Sequence, residues 1–330
     1  MSETVLVTGG AGYVGAHCCK ALAEAGYRPL VFDNLSTGHA DFVKWGPLIE
    51  GDLADSAALA AAFTQHAPTA VMHLAAASLV GESVADPQKY YLNNVAGTLN
   101  LLKAMRDAGC MKLVFSSSGA VYGDAGSKPI PEDATRSPVN PYGASKLMIE
   151  RILDDYRSAY KLNSAALRYF NASGADPSGM IGEKREIETH LIPRAMMALQ
   201  GYCDDFAVFG DDYPTPDGTA VRDYVHVTDL ATAHLRALEA LNGGWPGGAY
   251  NLGTGQGYSV KAILAAIERQ TGRSLNVPLK RRRVGDPAVL VADPAAARSA
   301  LGFTPEHSDL ATIIRTSWAW HQTAHRKRTP

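Results

Sequence analysis

The stretch Thr4-Val5-Leu6-Val7-Thr8-Gly9-Gly10-Ala11-Gly12-Tyr13-Val14-Gly15 decides the fold. Its first five residues are apolar or β-branched and end in glycine, which predicts a short buried strand. A helical pattern follows through Ala25. Gly9, Gly12 and Gly15 are spaced three apart, G-x-x-G-x-x-G rather than the common G-x-G-x-x-G fingerprint. Glycine permits the tight turn, lets backbone N–H groups approach a pyrophosphate, and lets the helix pack on the strand. Glycine triplets also occur in plain turns; the strand before and the helix after favour a dinucleotide site.

Working outward, a second strand over Pro29 to Phe32 ends at Asp33. That is the distance at which an acidic residue meets the adenosine ribose hydroxyls. An aspartate there repels a 2′-phosphate, which favours NAD over NADP; the competing reading is a helix or turn cap. Glu50-Gly51-Asp52-Leu53 closes a third strand, with Asp52 in reach of the adenine edge or acting as a cap. Ala70 to Ala75 reads as a strand. Gln88 to Gly109 reads as a long helix with Leu99, Leu102 and Met105 as its stripe. Lys112 to Ser116 is a strand, the helix bearing Tyr142 runs to Tyr160, and Ser164 to Phe170 is another strand. The alternation predicts an α/β fold, a Rossmann-type doubly wound parallel sheet with right-handed crossovers. Gly9, Asp33, Asp52, Ala75, Ser118 and Asn171 all lie at or just beyond carboxyl ends of strands, where such sheets bind ligands.

After Asn171 the pattern is irregular. Pro177 to Gly179 and Asp211 to Gly218 read as loops, with helices over His190 to Leu199 and Ser259 to Thr271. Asp293-Pro294 and Asp309 read as caps of two further helices. The expected organisation is a dinucleotide-binding domain over 1–171 and a smaller mixed α/β domain over 172–330, some of whose segments return to the first.

The 330 residues are 46% hydrophobic, ample for a core, and the net charge of −2 gives no global field for nucleic acid or membrane. Lys280-Arg281-Arg282-Arg283 is a single short basic run, which by itself does not make a nucleic-acid surface. No apolar run reaches the roughly 18 residues of a membrane span, and no signal peptide precedes the first strand. Cys18, Cys19, Cys110 and Cys203 lack metal spacing and read as reduced packing residues in a cytoplasmic protein; no metal is expected.

Tyr142 is followed four residues later by Lys146, one helical turn away on the same face. A free tyrosine, with a pKa of about 10, is a poor base at neutral pH, and an ammonium beside it favours the phenolate. Such a pair can take a proton from an alcohol while hydride leaves its carbon. Alone, Tyr-x-x-x-Lys also fits a solvated helix face. Ser116-Ser117-Ser118 after the fourth strand offers a hydroxyl to the same proton path, or ordinary turn chemistry.

Together, Thr8 to Gly15, Ser116 to Gly123 and Tyr142-x-x-x-Lys146 resemble the extended short-chain dehydrogenase/reductases. Val80 to Val84, Tyr90 to Asn94, Arg168 to Asn171, Gly210 to Thr215, Gly218 to Val227, Tyr250 to Thr254 and Arg282 to Asp286 look like the UDP-glucose (UDP-galactose) 4-epimerases, and the resemblance covers nearly the whole chain. It implies NAD as cofactor, Tyr142 as base, Lys146 as its partner and a ligand of the nicotinamide ribose, and Ser118 as hydroxyl donor. It implies further cofactor contacts at Tyr13, Val14, Asn34, Leu53, Ala75, Asn93 and Phe170. On the substrate side it implies Asn171, Arg222 and Arg283 on the nucleotide diphosphate. Phe209 would lie beside uracil and Asp286 near the UDP ribose, with His190 and Leu191 also in contact. Guanidinium groups suit phosphate oxygens. The expected substrates are UDP-glucose and UDP-galactose, and the helices Gln88–Gly109 and Tyr142–Tyr160 would pair in a homodimer.

The chain departs from the pattern in places. Gly119-Ala120 stands where many relatives have Ala-Thr, which puts more weight on Ser118; Ser78 stands where some carry lysine. Leu290 matches the residue that gates the sugar's C2 substituent, intermediate between a tyrosine that excludes N-acetyl groups and a small residue that admits them. A 4,6-dehydratase needs an Asp-Glu pair where Gly119-Ala120 stands. A 4-epimerase of UDP-N-acetylhexosamines, UDP-pentoses or UDP-uronates is a closer alternative. A non-catalytic NAD sensor is a remote one, with no reason to keep Ser118, Tyr142 and Lys146 together.

Overall fold

The computed structural model describes residues 2–126, 128–283 and 286–324. The first half alternates as the periodicity requires: β1 (Thr4–Thr8), α1 (Tyr13–Glu24), β2 (Arg28–Asp33), β3 (Leu48–Glu50), α2 (Ser56–His66) and β4 (Ala70–His73). It continues with α3 (Val80–Ala85), α4 (Pro87–Tyr90), α5 (Gly97–Asp107), β5 (Lys112–Ser118), α6 (Pro141–Tyr160) and β6 (Asn163–Tyr169). The second half comprises β7 (Asn171–Ser173), α7 (Leu191–Leu199), β8 (Val208–Phe209), β9 (Val221–His226), α8 (Val227–Asn242) and β10 (Gly247–Leu252). It closes with β11 (Gly257–Ser259), α9 (Val260–Thr271), β12 (Leu279–Lys280), β13 (Val289–Leu290), α10 (Ala295–Leu301) and α11 (Leu310–Ala324).

Seven parallel strands form the main sheet in the order β10-β6-β5-β4-β1-β2-β3. The doubly wound sheet is thus as the alternation predicts. The strand order reverses between β1 and β4, which opens a crevice at their carboxyl ends. Alternation along β1 sorts the two faces. Val5 and Val7 pack with Cys18 and Leu22 of α1 and Leu230 and Leu238 of α8. Leu6 packs with Phe63 of α2, Leu102 of α5 and Ile149 of α6. β9 pairs with β7 and β13 in parallel and with β11 antiparallel. β8 pairs with β12. Ile192, Ile263 and Ile313 join α7, α9 and α11 in a separate core.

The expected single helix from Gln88 to Gly109 is not one regular helix. A π-helical turn, Tyr91–Ala96, separates α4 from α5. Asn94 is buried within the turn, its Oδ1 accepting from Ala77 N at 2.8 Å and its Nδ2 donating to Ser145 Oγ at 3.0 Å. The extra residue rotates the downstream face. Leu102 and Met105 are buried, but Leu99 is 40% exposed and does not belong to the buried stripe. Asp309 caps α11, accepting from Thr312 N at 2.9 Å, while Asp293 accepts from Ala295 N at 2.9 Å at the start of α10. The four cysteines are unpaired. Among the described residues no helix is long and apolar enough to cross a membrane.

Candidate active site

The turn after β1 is built from close backbone approaches. Gly9 has φ +71°, and a Cβ there would lie 2.6 Å from Ala75 N, just past the end of β4. A Cβ on Gly15 would lie 2.0 Å from the Gly9 carbonyl oxygen. α1 starts at Tyr13 and Val14 with Gly12 as its N-cap and no side-chain cap, so its first N–H groups stay open to an anion. Asp33 Oδ2 accepts from Ala11 N at 3.0 Å and Oδ1 from Leu35 N at 2.9 Å. The cap chemistry that competed for Asp33 is therefore present, at the same place as the expected ribose contact. Burial pushes the Asp33 carboxyl up, and the two amides oppose the shift. Asn34 Nδ2 donates to Asp52 Oδ2 at 2.6 Å, and Asp52 Oδ1 accepts from Ala54 N at 2.8 Å. Leu53 is buried against Gly97, and Asn93 Nδ2 donates to Asn94 Oδ1 at 2.9 Å.

At the end of β5, Ser118 caps a short turn, its Oγ accepting from Ala120 N at 3.1 Å. α6 starts beside it: Asn140 Oδ1 accepts from Gly143 N at 2.9 Å, with Pro141 in the first turn. A Cβ on Gly143 would lie 2.4 Å from the Ala120 carbonyl oxygen, so glycine lets α6 seat against the turn. Tyr142 is thereby seated beside the turn that Ser118 caps. Burial pushes the Tyr142 phenol up; the Ser118 hydroxyl and the Arg185 charge pull it back. Lys146 is buried, donates to the Ser116 carbonyl at 2.8 Å, and sits 5.9 Å from the centre of the Tyr142 ring. Burial lowers its pKa to about 7, opposed by Glu150.

Several supporting groups were not among the sequence candidates. His73 bridges Thr8 Oγ1 at 2.7 Å and Thr98 Oγ1 at 2.8 Å, tying β1 to α5 behind the crevice, and burial lowers its pKa to about 3. Arg168 makes a two-toothed pair with Glu150 (Nε to Oε1 2.9 Å, Nη2 to Oε2 2.7 Å), and Ser117 Oγ donates to the same Glu150 at 2.6 Å. Glu183 accepts from Arg185 Nε at 3.0 Å and lies 2.5 Å from His190 Nδ1. Glu183, Glu188 and His190 bring ligand-type atoms within 4.8 Å of one another. The guanidinium on Glu183 already supplies a cation there. Only the resemblance pointed to His190; the charged partners around it have no sequence signature.

The expected substrate residues come from the second sheet and its loops. Asn171 Nδ2 donates to the Asp223 carbonyl at 3.0 Å. Arg222, on β9, pairs with Asp286. Arg283 lies over the Phe209 ring, 4.3 Å from its centre. Leu290, opposite Arg222 in register, packs with Phe170 against Val121 and Tyr122, just beyond Ser118. His190 caps α7 and Leu191 begins it. Leu290 thereby packs the second sheet against the turn after β5, beside the Ile130–Ala292 bridge.

Residues 5–253 match the model of the NAD dependent epimerase/dehydratase family. The chain is 52% identical to a UDP-glucose 4-epimerase of Rhizobium leguminosarum bv. trifolii, over 97% of both chains. It is 54% identical to a Brucella ovis UDP-glucose 4-epimerase solved in complex with NAD, with a TM-score of 0.93 over 96% of this chain and 98% of that one. A Bifidobacterium longum UDP-glucose 4-epimerase solved with NAD+ and UDP is 38% identical, with a TM-score of 0.92 over 97% and 98%. The chain belongs to the NAD-dependent epimerase/dehydratase family.

The residues present fit the cofactor of an NAD-dependent epimerase. The uncapped start of α1 suits a pyrophosphate, the Gly9 turn leaves room for close approach, and Asp33 sits where a ribose is expected. Gly15→Ala should overpack the turn by about 1–3 kcal/mol or more, since its Cβ meets backbone rather than a mobile side chain. The expected result is protein that purifies largely free of NAD, read from the cofactor released on denaturation. Full retention of NAD would show that the turn relaxes without consequence.

Proposed function

We propose that this protein interconverts UDP-glucose and UDP-galactose by epimerisation at C4. The observation that carries the reading is Tyr142 with Lys146 5.9 Å from its ring centre, on a helix seated by Gly143 against the turn that Ser118 caps, with Arg222 and Asn171 on the second sheet. Bound NAD supplies the hydride acceptor and, in the return step, the donor. Tyr142 takes the C4 hydroxyl proton as that carbon is oxidised, with Ser118 holding the reacting oxygen. The 4-keto sugar then turns within the pocket so that the opposite face of C4 would meet the hydride, and Tyr142 gives the proton back to the C4 oxygen. Arg222, Arg283 and Asn171 grip the diphosphate so that the nucleotide stays while the sugar turns. Asp33, Asn34, Asp52, Leu53, Ala75, Asn93 and Phe170 line the cofactor side, and His190, Leu191, Phe209, Asp286 and Leu290 the sugar-nucleotide side. Residues 1–171 supply the cofactor half and 172–330 the sugar-nucleotide half, with β10 lent to the first sheet.

The exposed apolar residues Leu92, Leu99, Met148 and Tyr160 on α5, α6 and the preceding turn support a homodimer through these helices. The reading places the protein in the cytoplasm. Its test is conversion of UDP-galactose to UDP-glucose with no added NAD and no net NADH; no epimer even with NAD supplied would sink it. UDP-N-acetylgalactosamine and UDP-xylose run beside it separate the related sugars. Leu290→Tyr should reduce the preference for N-acetylated over plain sugars and Leu290→Ser should raise it, each by about tenfold in kcat/KM ratio. Unchanged ratios in both variants would remove Leu290 from sugar selection.

A further inference from the structure

Arg282 and Arg283 are neighbours on the strap that follows β12, yet their side chains serve different places. In extended chain successive side chains point to opposite sides. Arg283 lies over Phe209, while Arg282 turns to Asp212 and Tyr213. Its Nε donates to Asp212 Oδ1 at 2.5 Å, its Nη2 donates to the Asp212 carbonyl, and its guanidinium stacks 4.5 Å from the centre of the Tyr213 ring. Gly210 makes room for this. It has φ +82°, and a Cβ there would lie 2.6 Å from both Arg282 Cγ and Tyr213 Cε2. The Gly210 amide donates to the Lys280 carbonyl at 2.8 Å, which continues the β8–β12 pairing into the same corner.

The ion pair is exposed, with 41% of the Arg282 and 66% of the Asp212 side chain accessible. Pairs of that kind contribute little to folding stability. A planar guanidinium fixed at once by a carboxylate, a carbonyl and a ring is instead a geometric device. Asp212 pairs with Arg282, while Arg283 at 4.3 Å and Lys280 at 5.9 Å from the ring centre are the cations over Phe209 among the described residues. We propose that Arg282 is a positioning residue for the nucleotide: by riveting the strap to the loop after β8 it holds Arg283 and Phe209 in register for UDP. This rests on the reading that Arg283 and Phe209 hold the nucleotide.

The test measures UDP binding by calorimetry and the kinetics of UDP-galactose turnover for Arg282→Ala, Asp212→Asn, Arg282→Lys and Arg283→Ala. Arg282→Ala and Asp212→Asn should each weaken UDP and raise KM by about tenfold, with kcat within about twofold and the melting temperature unchanged. Arg282→Lys should recover part of the affinity, since an ammonium keeps the ion pair but not the fork and the stack. If Arg283→Ala weakens UDP while Arg282→Ala and Asp212→Asn do not, the rivet is overturned and the nucleotide reading stands. If Arg283→Ala leaves UDP affinity unchanged, the nucleotide reading of the strap falls and the proposal with it. A drop in kcat and melting temperature together with the rise in KM would assign Arg282 to folding and overturn the proposal too.

Discussion

Tyr142→Phe will lower turnover about 10³-fold while leaving the fold and the bound NAD in place. The variant removes one hydroxyl and keeps the ring, so the edge contact with Tyr90, 6.5 Å between centres, is retained. Loss of any bond its hydroxyl makes affects stability by only about 1 kcal/mol. Loss of a positioned base is larger: general acid–base groups contribute roughly 10²–10⁴-fold, and 10³ corresponds to about 4 kcal/mol of barrier. The electrostatics show why the hydroxyl needs its neighbours. Burial pushes the Tyr142 phenol up, away from the phenolate it must form, and only Ser118 and the Arg185 charge oppose this. Epimerisation rate, NAD content and melting temperature measured on one preparation separate the effects. A variant with most of its activity would remove Tyr142 from the proton path; one that loses NAD or unfolds would make the residue structural.

The cofactor half was legible because its signals are local. A buried strand, a glycine turn and a helix within Thr4 to Ala25 leave little freedom, and Gly9 and Gly15 meet backbone as that reading requires. The juxtaposition of Tyr142 and Lys146 was legible because they share one helix, but what surrounds them was not. Lys146 was expected to act on Tyr142 as an adjacent charge. It lies 5.9 Å from the Tyr142 ring centre and is anchored on the Ser116 carbonyl, and Arg185, distant in sequence, adds a second positive charge near Tyr142. α8, with Leu230, Leu238 and Leu241 on its buried face, falls in the stretch after Asn171 where loops break the alternation and blur the helical period. β10 is a short run with two glycines whose partner, β6, lies some 80 residues earlier; no local pattern declares that pairing. Asn94 in the π-helical turn bonds to Ser145, again a contact that only the folded chain creates.

The Arg168–Glu150 pair is the part of this hidden layer with the greatest expected effect on stability. Arg168→Met should destabilise the protein by about 3–5 kcal/mol, read as a lowered denaturant midpoint. Both side chains are almost fully buried, Arg168 at 1% and Glu150 at 4% of their surface, so solvent does not screen the charge left behind. Arg168 also donates to Tyr122 Oη at 2.6 Å, and Tyr122 donates to Asn251 Oδ1 at 2.7 Å, so the change reaches β10 as well. Arg136, 3.8 Å from Glu150 Oε2 and half exposed, supplies some compensation and favours the lower end of the range. Replacing both partners, Arg168→Met with Glu150→Leu, should restore much of the loss, because the cost lies in a lone buried charge rather than in the missing attraction. The two variants also differ at the site. Glu150 is what raises the Lys146 pKa against burial. Without it that pKa falls further below about 7, so at neutral pH less ammonium remains beside Tyr142. The double variant should therefore regain stability but lose rate, whereas Arg168→Met should lose stability and keep the charge on Lys146, and with it the rate. A double variant that regains stability and keeps its rate would show that the ion pair serves the fold alone.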